Sequence, residues 1–103
     1  MAKRVVLATR DLVFRSKLAA VVTAGGGRLT QDAKDCDLAV VEIAAPPARA
    51  LDDIRALVAG GVPVLAFGSH VAADLLRAAR EAGATAVPNS AIVERLRELL
   101  EEK

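Results

Sequence analysis

The sequence has no tryptophan or tyrosine and only two phenylalanines, Phe14 and Phe67. So few aromatic faces leave no platform on which single-stranded bases can stack. Charge of one sign is missing too. Fourteen Lys and Arg stand against thirteen Asp and Glu, a formal net charge of +1. That balance argues against a nucleic-acid binder driven by a basic face and against a polyanionic partner. Arginine outnumbers lysine ten to four, which reads as compositional bias. The single cysteine, Cys36, excludes an internal disulfide, whereas secreted domains of this size often carry several. The first apolar run, Val5 to Ala8, ends at Thr9-Arg10-Asp11. It is too short for a signal-peptide core or a membrane span. No membrane association and a soluble cytoplasmic protein are therefore expected.

What is present is aliphatic and small. The apolar class makes up 53% of the 103 residues, with 22 Ala, 13 Val and 13 Leu, and this content excludes disorder. The length predicts one domain spanning residues 1–103. A chain of this size buries enough surface to fold alone, on a core of small side chains.

Short apolar runs alternate with helical patterns throughout. Val5-Val6-Leu7-Ala8 suits a strand covered on both faces. Asp11 is placed to cap a helix on which Phe14, Leu18, Val21 and Val22 repeat at helical spacing, and Gly25-Gly26-Gly27 ends it. Arg28-Leu29-Thr30 reads as a short edge strand, and Leu38 to Ile43 as a second buried one. A helix is predicted after Pro46-Pro47, with Leu51, Ile54, Leu57 and Val58 inward. Gly60-Gly61 ends that helix, and Val62 to Phe67 forms the next strand. Ser69 is expected to cap a helix with Val71, Leu75, Ala78 and Ala79 inward. Ala84 to Val87 is a last short strand. Asn89 or Ser90 then caps a final helix with Ile92, Val93, Leu96, Leu99 and Leu100 inward, and residues 101–103 are expected to fray.

Strands alternating with helices require parallel pairing and right-handed crossovers, which predicts a three-layer α/β sandwich. One link breaks the pattern. Only seven residues, Gln31 to Asp37, separate the second strand from the third, where a parallel crossover normally takes about 10–12 or more. The second helix is therefore missing or reduced to a turn.

These landmarks together resemble the receiver domain of two-component response regulators. Lys3 to Ala8 looks like the first strand of that family, and Asp37 to Ile43 followed by Pro46 like the third strand and its exit. Pro63 to Phe67 looks like the fourth strand, and Glu81-Ala82-Gly83-Ala84 like the turn into the fifth. The resemblance implies a flavodoxin-like five-stranded parallel sheet of order 2-1-3-4-5. It also implies four chemical parts at the carboxyl edge of the sheet. An acidic pair after the first strand holds Mg²⁺ through carboxylate oxygens; Thr9 and Arg10 stand there, with Asp11 next along. The phosphoryl-accepting Asp at the end of the third strand is replaced by Glu42. A Thr or Ser ends the fourth strand in the family, where Gly68 and Ser69 stand here. A Lys follows the fifth strand, where Pro88 and Asn89 stand. Arg10 repels a metal. Glu42, one methylene longer than Asp, misplaces its carboxylate by roughly 1 Å for in-line attack. The resemblance is thus to a pseudo-receiver that cannot be phosphorylated by the Asp/Mg²⁺ route.

Two readings of Glu42 stay open: a permanent mimic of a phosphorylated Asp, or an ion pair with Arg10. The proximity of the two strand ends favours the pair. Ser69-His70 points in two directions and is no nucleophile pair; His70 reads as solvated and Ser69 as a cap. Gly25-Gly26-Gly27 follows a helix and precedes a strand, the reverse of a phosphate cradle, so it terminates the helix. Cys36 reads as an incidental thiol in the shortened link. Arg15 and Lys17 read as a solvated helix face.

The expected function is a non-catalytic, receiver-like signalling and protein-interaction module, with no enzyme activity, cofactor or metal. The missing helix leaves a face of the sheet needing another cover. This predicts a protein partner, most simply a second copy in a homodimer. The alternative is a small-ligand or anion-binding domain, because open α/β sheets bind ligands outside their strand carboxyl ends. Its candidate residues are Thr9, Arg10, Glu42, Gly68, Ser69 and Asn89. Fold alone does not choose between them.

Overall fold

Five short β-runs assemble into one parallel sheet, as the alternating pattern predicts, in the strand order 2-1-3-4-5 that the resemblance implies. The computed structural model describes residues 2–44 and 46–102. The strands are β1 (Arg4–Ala8), β2 (Arg28–Leu29), β3 (Leu38–Glu42), β4 (Val64–Gly68) and β5 (Thr85–Pro88). The helices are α1 (Leu12–Ala24), α2 (Ala48–Ala59), α3 (Ala73–Glu81) and α4 (Ile92–Glu101). Residues 31–37 form only a turn, so the second helix of the resembled family is absent between β2 and β3.

The central strands are buried on both faces because helices flank both. On one face Val5, Leu7, Val40, Leu65 and Phe67 pack against Leu18, Val22, Ile92 and Leu96 of α1 and α4. The two phenylalanines meet there, Phe14 against Phe67, with ring centroids 5.3 Å apart and planes tilted by 52°. On the other face Ala39, Val41, Val64 and Ala66 pack against Ile54 of α2 and Leu76 and Ala79 of α3. Alanine makes up half of the buried residues of this second layer. Gly83, in the turn before β5, has φ +106°, and a Cβ there would meet Val58 Cγ1 at 2.8 Å; both the backbone and the space require glycine.

Several boundaries shift from expectation. β4 begins at Val64 rather than Val62 and runs on through Gly68; β5 ends at Pro88 rather than Val87. Ser69 caps no helix: it closes a turn in which the Val71 amide donates to Ser69 Oγ at 3.3 Å and the Ala72 amide to the Ser69 carbonyl at 3.0 Å. α3 therefore starts late, and Val71, expected inward, is 80% exposed. Neither Asn89 nor Ser90 caps α4; both belong to a 3₁₀ turn, Asn89–Ala91, that leads into it. At the other end Glu101 is still helical and Glu102 is extended, while Lys103 lies outside the described residues. The Lys3 ammonium donates to the Leu99 carbonyl, satisfying one of the open carbonyls of the last turn of α4.

The strip of sheet that the missing helix would cover is less apolar than expected. Side-chain alternation puts Arg4, Val6 and Ala8 on the face opposite α1, and register sets Arg4 beside Arg28. At the amino end of the strip Arg4 is pinned by ion pairs to Asp35 and Asp37 of the short link. Val6, the one large apolar side chain of β1 there, is half-buried against the alanine-rich layer. The large hydrophobic residues that are exposed lie elsewhere. Leu12 (78%), Val13 (76%) and Val71 sit at the carboxyl edge, and Leu29 (47%) in the edge strand β2.

Candidate functional site

The carboxyl ends of β1 and β3 meet at the centre of the sheet. Their register pairs Ala8 with Val41, which sets the next residues, Thr9 and Glu42, level with each other. Thr9 Oγ1 donates to Glu42 Oε1 at 2.6 Å, and the same hydroxyl accepts the Asp11 amide at 3.2 Å. The half-buried Glu42 carboxylate is thus held by its own neighbour. The expected Arg10–Glu42 pair is not among the ion pairs of the described residues. Arg10 stands one residue further along, on the exposed turn before α1, past the point where the strands are in register.

Asp11, the acid nearest the family's metal position, is engaged as well. Its Oδ1 accepts the amides of Val13 at 2.9 Å and Phe14 at 3.2 Å, capping α1 as its position predicts. No group of three or more His, Cys, Asp or Glu side chains able to hold a metal occurs among the described residues. Arg15 is not simply solvated, as expected, but folds back so that Nη1 donates to the Leu7 carbonyl at 3.1 Å. That bond ties the first turn of α1 to the end of β1.

Gly68 ends β4 in register with Pro88 and is buried. A Cβ there would stand 3.0 Å from the Ile43 carbonyl oxygen, so a threonine or serine at this place would push the β3 exit aside. Ser69 follows in its turn, and Asn89 opens the 3₁₀ turn after β5, exposed. The six candidates therefore share one edge, but only three are brought together.

A groove of about 490 Å³ lies at the β1 and β3 end, lined by Leu7, Ala8, Thr9, Arg10, Val41, Glu42, Ala44, Pro46, Arg49, Ala50 and Asp53. Thr9, Arg10 and Glu42 belong to it; Gly68, Ser69 and Asn89 do not. Sequence reading missed Ala8, Arg49 and Asp53. The signal lay in the spacing, since Arg49 and Asp53 sit one turn apart on a helix whose inward residues were already identified. Neither forms an ion pair within 4.0 Å among the described residues.

Away from the groove, Cys36 is half-buried, its Sγ 3.6 Å from the Ala33 carbonyl. Burial, more than the nearby carboxylates, pushes the thiol above its ordinary range, which opposes thiolate chemistry. Asp37 is held below the usual carboxylate range, first by the Arg4 amide at 2.7 Å and then by the Arg4 guanidinium.

No protein-family model matches the chain, and no curated protein does either. Solved structures do. A response regulator from Thermotoga maritima aligns with a TM-score of 0.78 at 14% identity, over 99% of this chain and 100% of that one. The BeF3-activated DrrB receiver domain aligns at 0.76 and 14%, over 99% and 100%. A putative pilus assembly-related protein from Burkholderia pseudomallei K96243 aligns at 0.75 and 20%, over 96% and 87%. At these identities the likeness is one of architecture, and it settles that point: the chain has the flavodoxin-like fold of CheY-like response-regulator receiver domains.

Proposed function

We propose that the protein is a non-catalytic signalling module on the receiver fold, acting through protein contacts at its carboxyl edge and not through phosphorylation. One observation carries this reading. The carboxylates nearest the phosphorylation positions are bound to the chain's own donors, Glu42 to Thr9 and Asp11 to the first turn of α1. Around them stand a guanidinium at Arg10 and a buried, tightly packed glycine at Gly68. Contact, rather than chemistry, is what the same edge offers: Leu12, Val13 and Val71 are each more than three-quarters exposed there. Apolar side chains held out beside a polar rim are the usual mark of an interaction surface.

The test is a two-dimensional amide spectrum of labelled protein titrated with Mg²⁺, first alone and then with beryllofluoride or acetyl phosphate. Unchanged resonances for Thr9, Asp11, Glu42 and Gly68 are expected. Saturable shifts that need both the metal and the phosphoryl analogue would overturn the reading.

A further inference from the structure

The start of α1 is held differently from the rest of the helix. From Phe14 onward α1 is anchored on the sheet. Phe14 packs on Phe67, Arg15 donates to the Leu7 carbonyl, and Leu18 and Val22 lie in the core. Arg10 to Val13 have no such anchor, for each of the four is exposed. The side-chain bonds that hold this stretch form one relay. The Val13 and Phe14 amides donate to Asp11 Oδ1. The Asp11 amide donates to Thr9 Oγ1 at 3.2 Å, and the Thr9 hydroxyl donates to Glu42 Oε1 at 2.6 Å. The relay thus runs from the exposed start of α1 to the half-buried end of β3, and Glu42 is its last member.

Each bond in the relay depends on the next. A hydroxyl that donates to a carboxylate is polarised and becomes a better acceptor, so Glu42 strengthens the bond that Thr9 takes from the Asp11 amide. The carboxylate also fixes the direction of the Thr9 proton, which leaves the oxygen lone pairs turned toward Asp11. Thr9 is branched at Cβ and has few side-chain rotamers, so it passes that restraint on. The Asp11 backbone then places the carboxylate that caps the first turn of α1. Leu12 and Val13, 78% and 76% exposed, are the residues this turn presents. We infer that Glu42 is a positioning residue for the Leu12–Val13 surface, acting on it through the Thr9 hydroxyl and the Asp11 cap. This rests on the interaction reading above and deepens it by naming what holds part of its contact surface in place.

Amide–water exchange and backbone order, both read by NMR on the labelled protein, test the relay. Glu42→Met keeps the length of the side chain and removes the acceptor. It should speed exchange of the Asp11 amide by about threefold, the scale of one hydrogen bond weakened. Backbone order at Leu12 and Val13 should fall with it, while the resonances of Val22 and Leu65 keep their positions and show the fold intact. Glu42→Gln, which keeps an acceptor oxygen, should lie closer to the parent than to Glu42→Met. Thr9→Val should act more strongly, by about tenfold at Asp11. Adding Glu42→Met to Thr9→Val should change nothing further, because Glu42 acts only through Thr9. Parental exchange at Asp11 or parental order at Leu12 and Val13 in Glu42→Met would overturn the inference, as would Glu42→Gln behaving like Glu42→Met. Multiplied effects in the double variant would also overturn it and mark a general loss of stability instead. Failure here leaves the signalling-module reading standing, because that reading falls only to the beryllofluoride titration.

Discussion

Thr9 does more than its place in the sequence suggests. Its hydroxyl accepts from the Asp11 amide and donates to Glu42, so it joins the end of β1, the cap of α1 and the end of β3. A hydrogen bond to a charged group contributes about 1.5–3 kcal/mol. Thr9→Val keeps the shape and removes that bond, and we expect a loss of about 1–2 kcal/mol, read as a lower urea midpoint with unchanged slope. Arg10→Ala, with no partner among the described residues, should move the midpoint by less than about 0.5 kcal/mol. Cys36 gives a second residue-scale expectation. With its thiol pushed up by burial, labelling by a disulfide reagent at neutral pH should be slower in the folded protein than in urea. Its pH–rate midpoint should also lie above that of the unfolded chain; equal rates would contradict the half-buried placement. The candidate site was only partly legible from residue types. Arginine next to a strand end suggested an ion pair, but pairing register decides contacts there, and the register puts Thr9, not Arg10, across from Glu42.

At the scale of elements the strands were readable because four of them are short aliphatic runs closed by glycine, proline or a polar cluster. The order 2-1-3-4-5 was reached through the resemblance to receivers, not from the runs themselves. The start of α3 misled for a physical reason. A serine followed by apolar residues at helical spacing fits a cap and an inner face, yet the Ser69 side chain and carbonyl close a turn first and rotate Val71 outward. The turn that replaces the second helix is held by Asp37 against Arg4. Asp37 has a folded pKa below its unfolded value of about 3.9. Its stabilisation is therefore complete above that value and lost as pH falls through the folded one. Asp37→Asn should lower the melting temperature at neutral pH, and its difference from the parent should shrink as the solution is acidified below pH about 4. A constant difference at all pH values would assign the effect to packing instead.

For the whole molecule, the two layers are unequal. The α1/α4 side holds the large side chains and both aromatic rings, whereas the α2/α3 side is mostly alanine and valine. Stability should accordingly be concentrated on one side of the sheet. Phe67 is fully buried and packs on Phe14. Phe67→Ala should cost about 3–5 kcal/mol, a large share of the 5–15 kcal/mol typical of a domain. Ala66→Gly, on the opposite face of the same strand, should cost about 1 kcal/mol. Equilibrium urea unfolding of both variants checks the asymmetry, and comparable losses would refute it.

The seven-residue link between β2 and β3 also bears on how the chain finds its topology. The facing ends of the two central strands, at Thr9 and Glu42, lie 33 positions apart in sequence. Lengthening the link to a full helical crossover of about 10–12 residues would add only about 3–5 residues to the loop that must close before those strands meet, and the logarithmic dependence of closure entropy on length makes that worth only about 0.1 kcal/mol. Whether the crossover carries a helix or a turn is thus nearly immaterial to the search for the sheet. The difference is felt afterwards, in covered surface, so the receiver architecture can shed or regain this helix without renegotiating its strand order.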